Sequence, residues 1–73
     1  MDYASIIEIN ADVRFGKPCV KGTRITVYDV LSLLARGYST DDVISDFPQL
    51  TKEHVQACLA YTADREAKLR IGS

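Results

Sequence analysis

Three helix-start signals in the second half of the chain constrain its fold more than any other feature. Each is a hydroxyl residue followed within three positions by an acid, and the first is a variant of the capping box. They stand at Thr26, at Ser39 or Thr40, and at Thr51. Gly37 follows the first segment and Pro48 the second, and both residue types commonly end helices. The sequence therefore predicts three helices joined by short turns, with the last running to about Leu69.

Core-facing residues recur along each predicted helix at the spacing of one helix face. They are Val27, Val30, Leu31 and Leu34 in the first helix, Val43, Ile44 and Phe47 in the second, and Val55, Cys58, Leu59 and Thr62 in the third. The outer face of the third helix would then carry Lys52, Glu53, Gln56, Ala57 and Arg65. This pattern predicts a three-helix bundle around one core.

The first 25 residues predict a small irregular hairpin. Residues 5–9 are rich in β-branched side chains and alternate partly, as in a short strand. Cys19–Val20 is a second candidate strand, and Pro18 suits only its end or an edge because proline has no N–H to donate. The predicted fold is mainly α, with a hairpin arm in residues 1–25 and the bundle in residues 26–70. Both belong to a single domain spanning residues 1–73.

The segment FGKPCVKGTRITV, residues 15–27, combines two glycines, a proline and three cations. It does not fit a phosphate-binding loop, because that motif requires GxxxxGK[ST] and Gly22 is followed by Thr23. The glycines instead predict positive φ or close backbone approach. A turn does not require cations, so those of this region are candidates for contact with nucleic acid or an acidic partner, with a solvated surface as the alternative. They are Arg14, Lys17, Lys21 and Arg24.

Charge is distributed unevenly, although the formal net charge is −1. Residues 13–25 carry four cations and no acid, whereas residues 41–53 carry four acids and one lysine. The low net charge argues against a general polyanion binder, and the asymmetry is more typical of contact surfaces.

The second and third predicted helices, with a brief turn at residues 48–50, match the helix-turn-helix plan. Lys52 and Gln56 would lie on the outer face of the third helix, where glutamine can contact adenine edges and lysine can contact guanine or phosphate. Many three-helix bundles bind no nucleic acid, however, and an acidic second helix is unfavourable beside a phosphate backbone. A protein-binding module is therefore the alternative.

The sequence predicts no enzyme active site, metal site or cofactor. His54 and Cys58 stand four positions apart with Cys19 as a distant third ligand, whereas zinc sites usually show paired short spacings such as CxxC. Asp42 and Asp46 are more typical of a solvated helix face than of a magnesium site. With two cysteines, no signal-peptide pattern and no long apolar run, we expect a cytoplasmic protein with reduced thiols.

The segments GKPCVKGTRITV and VLSLLARGYSTDDVISDFPQLTKEHVQACLAY resemble the domain-of-unknown-function 433 family, DUF433. The shared pattern is a basic glycine-containing hairpin, a helix ending in glycine and an FPxLT element that opens the last helix, over roughly residues 6–64. The residues that carry the pattern here are Gly16, Pro18, Gly22, Thr23, Arg24, Gly37 and Pro48. Ala11 stands where the pattern has proline. The resemblance implies a homeodomain-like helix-turn-helix fold and the role of an antitoxin encoded beside a PIN-like ribonuclease toxin.

We therefore expect a non-enzymatic, antitoxin-like regulatory protein that binds a PIN-like nuclease, with operator DNA as an additional ligand of the helix-turn-helix. The alternative is an interaction or scaffold module that binds no DNA. A homodimer is also expected, because a 73-residue chain buries a modest core and its N-terminal strand has little sheet to join. Pairing of strand edges between subunits would bury Ile6, Ile7 and Ile9.

Overall fold

The computed structural model describes residues 2–69 and confirms a mainly helical chain with a short antiparallel hairpin at its N-terminal side. A 3₁₀ turn, Tyr3–Ser5, precedes strand β1, Ile7–Glu8. A second turn, Arg14–Gly16, leads to strand β2, Cys19–Val20. The two strands pair with Ile7 opposite Val20 and Glu8 opposite Cys19.

The other side of β2 is hydrogen-bonded to the segment that enters the first helix. Val20 N–H donates to the Ile25 carbonyl over 2.9 Å, and Val27 N–H donates to the Pro18 carbonyl over 2.9 Å. Pro18 lies immediately before β2, at the strand end that its missing N–H predicts. The hairpin is therefore held against the start of the helical bundle.

Three helices follow: α1, Val27–Ala35; α2, Thr40–Asp46; and α3, Lys52–Leu69. Reciprocal capping boxes begin the first two, with Thr26 paired to Asp29 and Ser39 paired to Asp42. The structure thus selects Ser39 as the cap where the sequence left Ser39 and Thr40 open. α1 ends just before Gly37, whose φ is +96°, as the glycine predicts.

The start of α3 has the expected capping residue and an unexpected partner for it. Thr51 is the capping residue, and its hydroxyl accepts a bond of 3.3 Å from the His54 N–H. The reciprocal acceptor is an imidazole, because His54 Nδ1 accepts from the Thr51 N–H over 3.1 Å. His54 occupies the third helical position, where a capping box normally has Glu or Gln, so its ring replaces that side chain.

The core lies between the hairpin and the three helices. Its most deeply buried apolar residues come from four elements, because β2, α1, α2 and α3 each contribute a valine that is at most 1 % exposed. These residues are Val20, Val30, Val43 and Val55. Burial of one β-branched side chain from each element explains why the short hairpin is stable beside the helices.

The predicted phase of α3 is wrong at two positions. Leu59, expected in the core, is 39 % exposed, and Ala57, expected on the outer face, is fully buried. The reason lies outside α3: the ring of Tyr3 packs edge-on against Tyr61, with centroids 5.5 Å apart, and its hydroxyl donates to the Asp64 carboxylate. This contact extends the covered side of α3 toward Tyr61 and leaves Leu59 at the rim.

Candidate binding surfaces

Five of the six candidate binding residues lie in three separate places on the surface. Lys21 and Arg24 line an open cavity of about 550 Å³ on the hairpin. Lys17 lines a groove of about 460 Å³ between α1 and the second half of α3. Lys52 and Gln56 line a shallow depression near the start of α3. The structure therefore brings the candidates together in pairs at most, and not in one site.

The sixth candidate, Arg14, connects the hairpin to α1. Its Nη1 donates to the Arg24 carbonyl over 2.9 Å and lies 3.3 Å from Asp29 Oδ2. The same Asp29 oxygen accepts the Thr26 N–H of the α1 capping box over 3.0 Å. Arg14 is half-buried and already paired, so its role is structural and it offers little to an external phosphate.

The Gly-Thr-Arg motif of the hairpin has a clear structural basis. Gly22 has a φ of +81°, which glycine adopts without steric cost. The Thr23 hydroxyl donates to the Val20 carbonyl over 2.8 Å and accepts from the Ile25 N–H over 3.0 Å. These bonds close the turn after β2, while the Arg24 side chain stays exposed. The two residues before Arg24 therefore build the fold, and Arg24 itself is available for contact.

The turn at Arg14–Gly16 is left-handed over three consecutive residues. The φ angles of Arg14, Phe15 and Gly16 are 50°, 60° and 80°. Bonds of the i to i+3 type close it, from Gly16 N–H to the Val13 carbonyl and from Lys17 N–H to the Arg14 carbonyl. Phe15 at its centre is 96 % exposed. Sequence reasoning missed this feature, because Gly16 predicts positive φ at one position only.

The outer face of α3 places Lys52 near an acid of α2. Lys52 Nζ lies 3.9 Å from Asp41 Oδ1, and the two side chains are 77 % and 80 % exposed. Such an exposed pair adds little stability, but the carboxylate offsets the charge that Lys52 would present to a phosphate. Gln56 is exposed in the same depression. This face is therefore polar without being cationic.

The groove between α1 and α3 has mostly apolar walls. Tyr28 and Leu31 contribute from α1, and Tyr61 contributes from α3. The Arg65 guanidinium lies over the Tyr61 ring, 5.7 Å from its centroid. No sequence pattern predicts this groove, because its two walls belong to helices that are far apart along the chain and their alignment depends on tertiary packing.

Both cysteines are buried free thiols. Burial raises the pKa of Cys58 to about 11 and also raises the pKa of Cys19, so neither thiol is readily ionised at neutral pH. Across residues 2–69, no three His, Cys, Asp or Glu side chains are grouped so that they could hold a metal ion. Over the same residues, no helix has both the length and the apolar character needed to cross a membrane.

Comparison with known proteins assigns the chain to a family. The family model for "Protein of unknown function (DUF433)" matches residues 7–62, from β1 into α3. The "Uncharacterized protein y4eO" of Sinorhizobium fredii (strain NBRC 101917 / NGR234) is 34 % identical over 56 residues, which are 77 % of this chain but 25 % of that protein. This chain thus spans about a quarter of the length of the curated relative it matches. No solved structure matches it significantly. Because the family match covers both strands and most of the helical bundle, this chain belongs to the DUF433 family.

Proposed function

We propose that this chain is an antitoxin-like regulatory protein that binds a PIN-like nuclease toxin through its cationic hairpin surface. This surface comprises two separate patches, one with Lys21 and Arg24 and the other with Lys17. The proposal begins from the resemblance of the hairpin and helix motifs to antitoxin members of the family. It assigns the chain a binding role and no catalytic one. It also places the chain in the cytoplasm, where two buried, unpaired thiols remain reduced.

The observation that carries the proposal is the exposure of these three cations on a hairpin that other residues hold together, with Lys17 before β2 and Lys21 and Arg24 after it. Arg14 and Thr23 make the hydrogen bonds that hold the hairpin, whereas Lys17, Lys21 and Arg24 are exposed. Among the side chains of residues 2–69, none of the three takes part in an ion pair. A nuclease with an acidic active site is a complementary partner, because opposite charges steer association and fix orientation.

Operator DNA is a second, separable ligand in this proposal. The α2–turn–α3 order is that of a helix-turn-helix, and Gln56 is exposed on α3 where a recognition helix would contact bases. The closeness of Lys52 to Asp41 argues for modest, salt-sensitive affinity, with phosphate contacts supplied mainly by the hairpin. The competing function is a protein-interaction module that uses the same hairpin surface and binds no DNA.

The nuclease half of the proposal is tested by co-expression with the product of the adjacent reading frame, followed by pull-down. The double variant Lys21→Ala/Arg24→Ala should lose the partner, because it removes two of the three exposed cations. The control is Lys52→Ala/Gln56→Ala, which alters the α3 face and should retain the partner. Failure of the unaltered chain to retain the partner would reject the nuclease half.

The DNA half is tested by gel-shift titration on the upstream region at several salt concentrations. Lys21→Ala/Arg24→Ala should flatten the slope of log affinity against log salt by roughly two units per subunit, because each lost phosphate contact removes about 0.9. Gln56→Ala should alter sequence preference more than salt slope, since base edges carry identity. No retention of DNA at low salt would leave only the protein-interaction function.

A further inference from the structure

We propose that Phe15 is an anchor that inserts into an apolar pocket of a partner protein, and that carboxylates line the rim of that pocket. The proposal rests on the proposed function because it requires a protein partner. It adds the residue that makes the central contact and the chemistry of the surface that receives it.

The side chain of Phe15 has no role in the core. It is 96 % exposed, whereas Phe47, the other phenylalanine of the chain, packs against the buried cluster. Other exposed large apolar residues are less exposed than Phe15, with Tyr28 at 73 % and Ile9 at 60 %. A nearly fully exposed aromatic ring is unfavourable in water, so its place in the turn is not explained by the stability of the free chain.

The backbone of Phe15 points to the same conclusion independently. Its φ of 60° and ψ of 34° are left-handed, and Arg14 before it has a φ of 50°. Bulky residues rarely adopt this conformation, which glycine and asparagine tolerate better. The bonds of Arg14 to the Arg24 carbonyl and to Asp29 hold the turn in place. The fold thus fixes a strained turn whose outermost side chain is an aromatic ring.

The chemistry of the partner follows from the neighbours of Phe15 in the hairpin. Exposed Lys17 stands two residues after Phe15, and the Arg24 carbonyl accepts from the Arg14 guanidinium beside the ring's own turn. These cations favour carboxylates near the point of insertion, and a central aromatic with a polar rim is the usual arrangement of a binding hot spot. An extended nucleic acid fits less well, because the α2–α3 face carries exposed acids such as Asp41 and Asp42. A pocket that receives only the hairpin avoids those acids.

The test uses the full chain and the purified product of the adjacent reading frame, with Kd measured by calorimetry. Phe15→Asn should weaken binding at least roughly tenfold, as loss of a hot-spot residue does. It should also keep or raise the melting temperature, because asparagine tolerates left-handed backbone. Phe15→Tyr, which keeps the ring, should bind within about threefold of the unaltered chain. The control Lys52→Ala/Gln56→Ala, on the α3 face, should change Kd by no more than about twofold.

Each other outcome overturns the inference in a distinguishable way. Equal affinity of Phe15→Asn and the unaltered chain rejects the anchor and leaves the proposed function intact. No binding by the unaltered chain rejects the proposed function together with the anchor. Loss of upstream DNA by Phe15→Asn with the protein partner retained assigns the ring to nucleic acid. A lower melting temperature for Phe15→Asn shows that the ring stabilises the fold.

Discussion

Val55 and Leu59 stand one helical turn apart on α3, yet Val55 is 1 % exposed and Leu59 39 %. Val55→Ala should therefore cost about 2 kcal/mol of unfolding free energy, from lost burial and the cavity that remains. Leu59→Ala removes more atoms but should cost less, about 1 kcal/mol, because much of that side chain already contacts water. Urea denaturation of the two variants compares them directly. A larger loss for Leu59→Ala would mean that α3 is rotated as its sequence pattern alone predicted.

Cys58 makes stability depend on pH in the alkaline range. Burial raises the pKa of this thiol from an ordinary value of 9.0 to about 11, so the fold favours the neutral form. The contribution of the neutral thiol to the free energy of unfolding is complete below pH 9. It is lost as the pH rises toward 11, because the thiol of the unfolded chain ionises first. The melting temperature of the unaltered chain should thus fall more steeply over this range than that of Cys58→Ala. Thermal scans at several pH values measure both slopes, and parallel slopes would contradict the coupling.

Among the helices, α3 has the least usual start, because an imidazole serves as the reciprocal acceptor of its cap. His54→Ala removes the acceptor of the Thr51 N–H and should cost about 0.5–1.5 kcal/mol. His54→Gln supplies the amide oxygen found in ordinary capping boxes and should stay within about 0.5 kcal/mol of the unaltered chain. Chemical denaturation distinguishes the two. Equal losses would show that the ring acts through packing and not as an acceptor.

The capping box of α2 is stabilised by the ionised carboxylate of Asp42. Hydrogen bonds from Ser39, its backbone N–H first and its side chain second, hold the pKa of Asp42 below the ordinary value of 3.8. The fold favours the ionised form of Asp42. Its contribution to the free energy of unfolding is therefore present above pH 3.8 and is lost as the pH falls through the lower folded-state pKa. Asp42→Asn should therefore melt below the unaltered chain at about pH 6, and the difference should shrink as the pH falls below 3.8. A melting difference that does not change with pH would contradict this.

The elements divide into those that local sequence determines and those that tertiary contacts determine. Thr26 and the Ser39–Thr40 pair predicted their helices because the capping bonds are completed within four residues. The glycine at position 22 and Pro18 likewise predicted the hairpin from local backbone limits. The orientation of α3 was not predictable in this way, because Tyr3 covers Tyr61 from the far end of the chain. Nor was the left-handed conformation of Phe15, because the neighbouring Arg14 contacts α1 through Asp29, which lies fifteen residues after Arg14 in the chain.

Across the whole molecule, the candidate binding residues divide by charge. Lys17, Lys21 and Arg24 are exposed on the hairpin, whereas Lys52 on α3 is offset by Asp41. Each of these cations was predicted from the sequence as a binding residue, but their distribution over separate parts of the surface was not. Composition and spacing do not show which residues lie close together in the folded chain. Arg14 was also predicted to be available for binding a partner or nucleic acid, although its guanidinium joins the hairpin to α1.

Self-association is the property of the whole molecule that the hairpin predicts most directly. Within the described residues β1 forms a two-stranded sheet with β2, and the Lys21 N–H to Ile6 carbonyl bond shows which peptide groups face β2. By the alternation of an antiparallel ladder, the peptide groups of Ile7 face the outer edge, where a second copy could pair. The set of isoleucines expected to be buried by a partner subunit needs revision. Ile7 is only 9 % exposed within one chain, so a partner would cover mainly Ile9, which is 60 % exposed.

We still expect a homodimer at micromolar concentration, with a mass twice the 8.1 kDa of the chain in light scattering after size exclusion. Ile9→Lys should shift the population to monomer, because a charge immediately after an edge strand opposes pairing there. Its matched control, Ile9→Val, keeps the β-branched surface and should remain dimeric. A monomeric mass for the unaltered chain would show that β1 keeps a free edge in solution. Dimeric Ile9→Lys would instead place the subunit contact away from β1, with the apolar groove between α1 and α3 as the next surface to test.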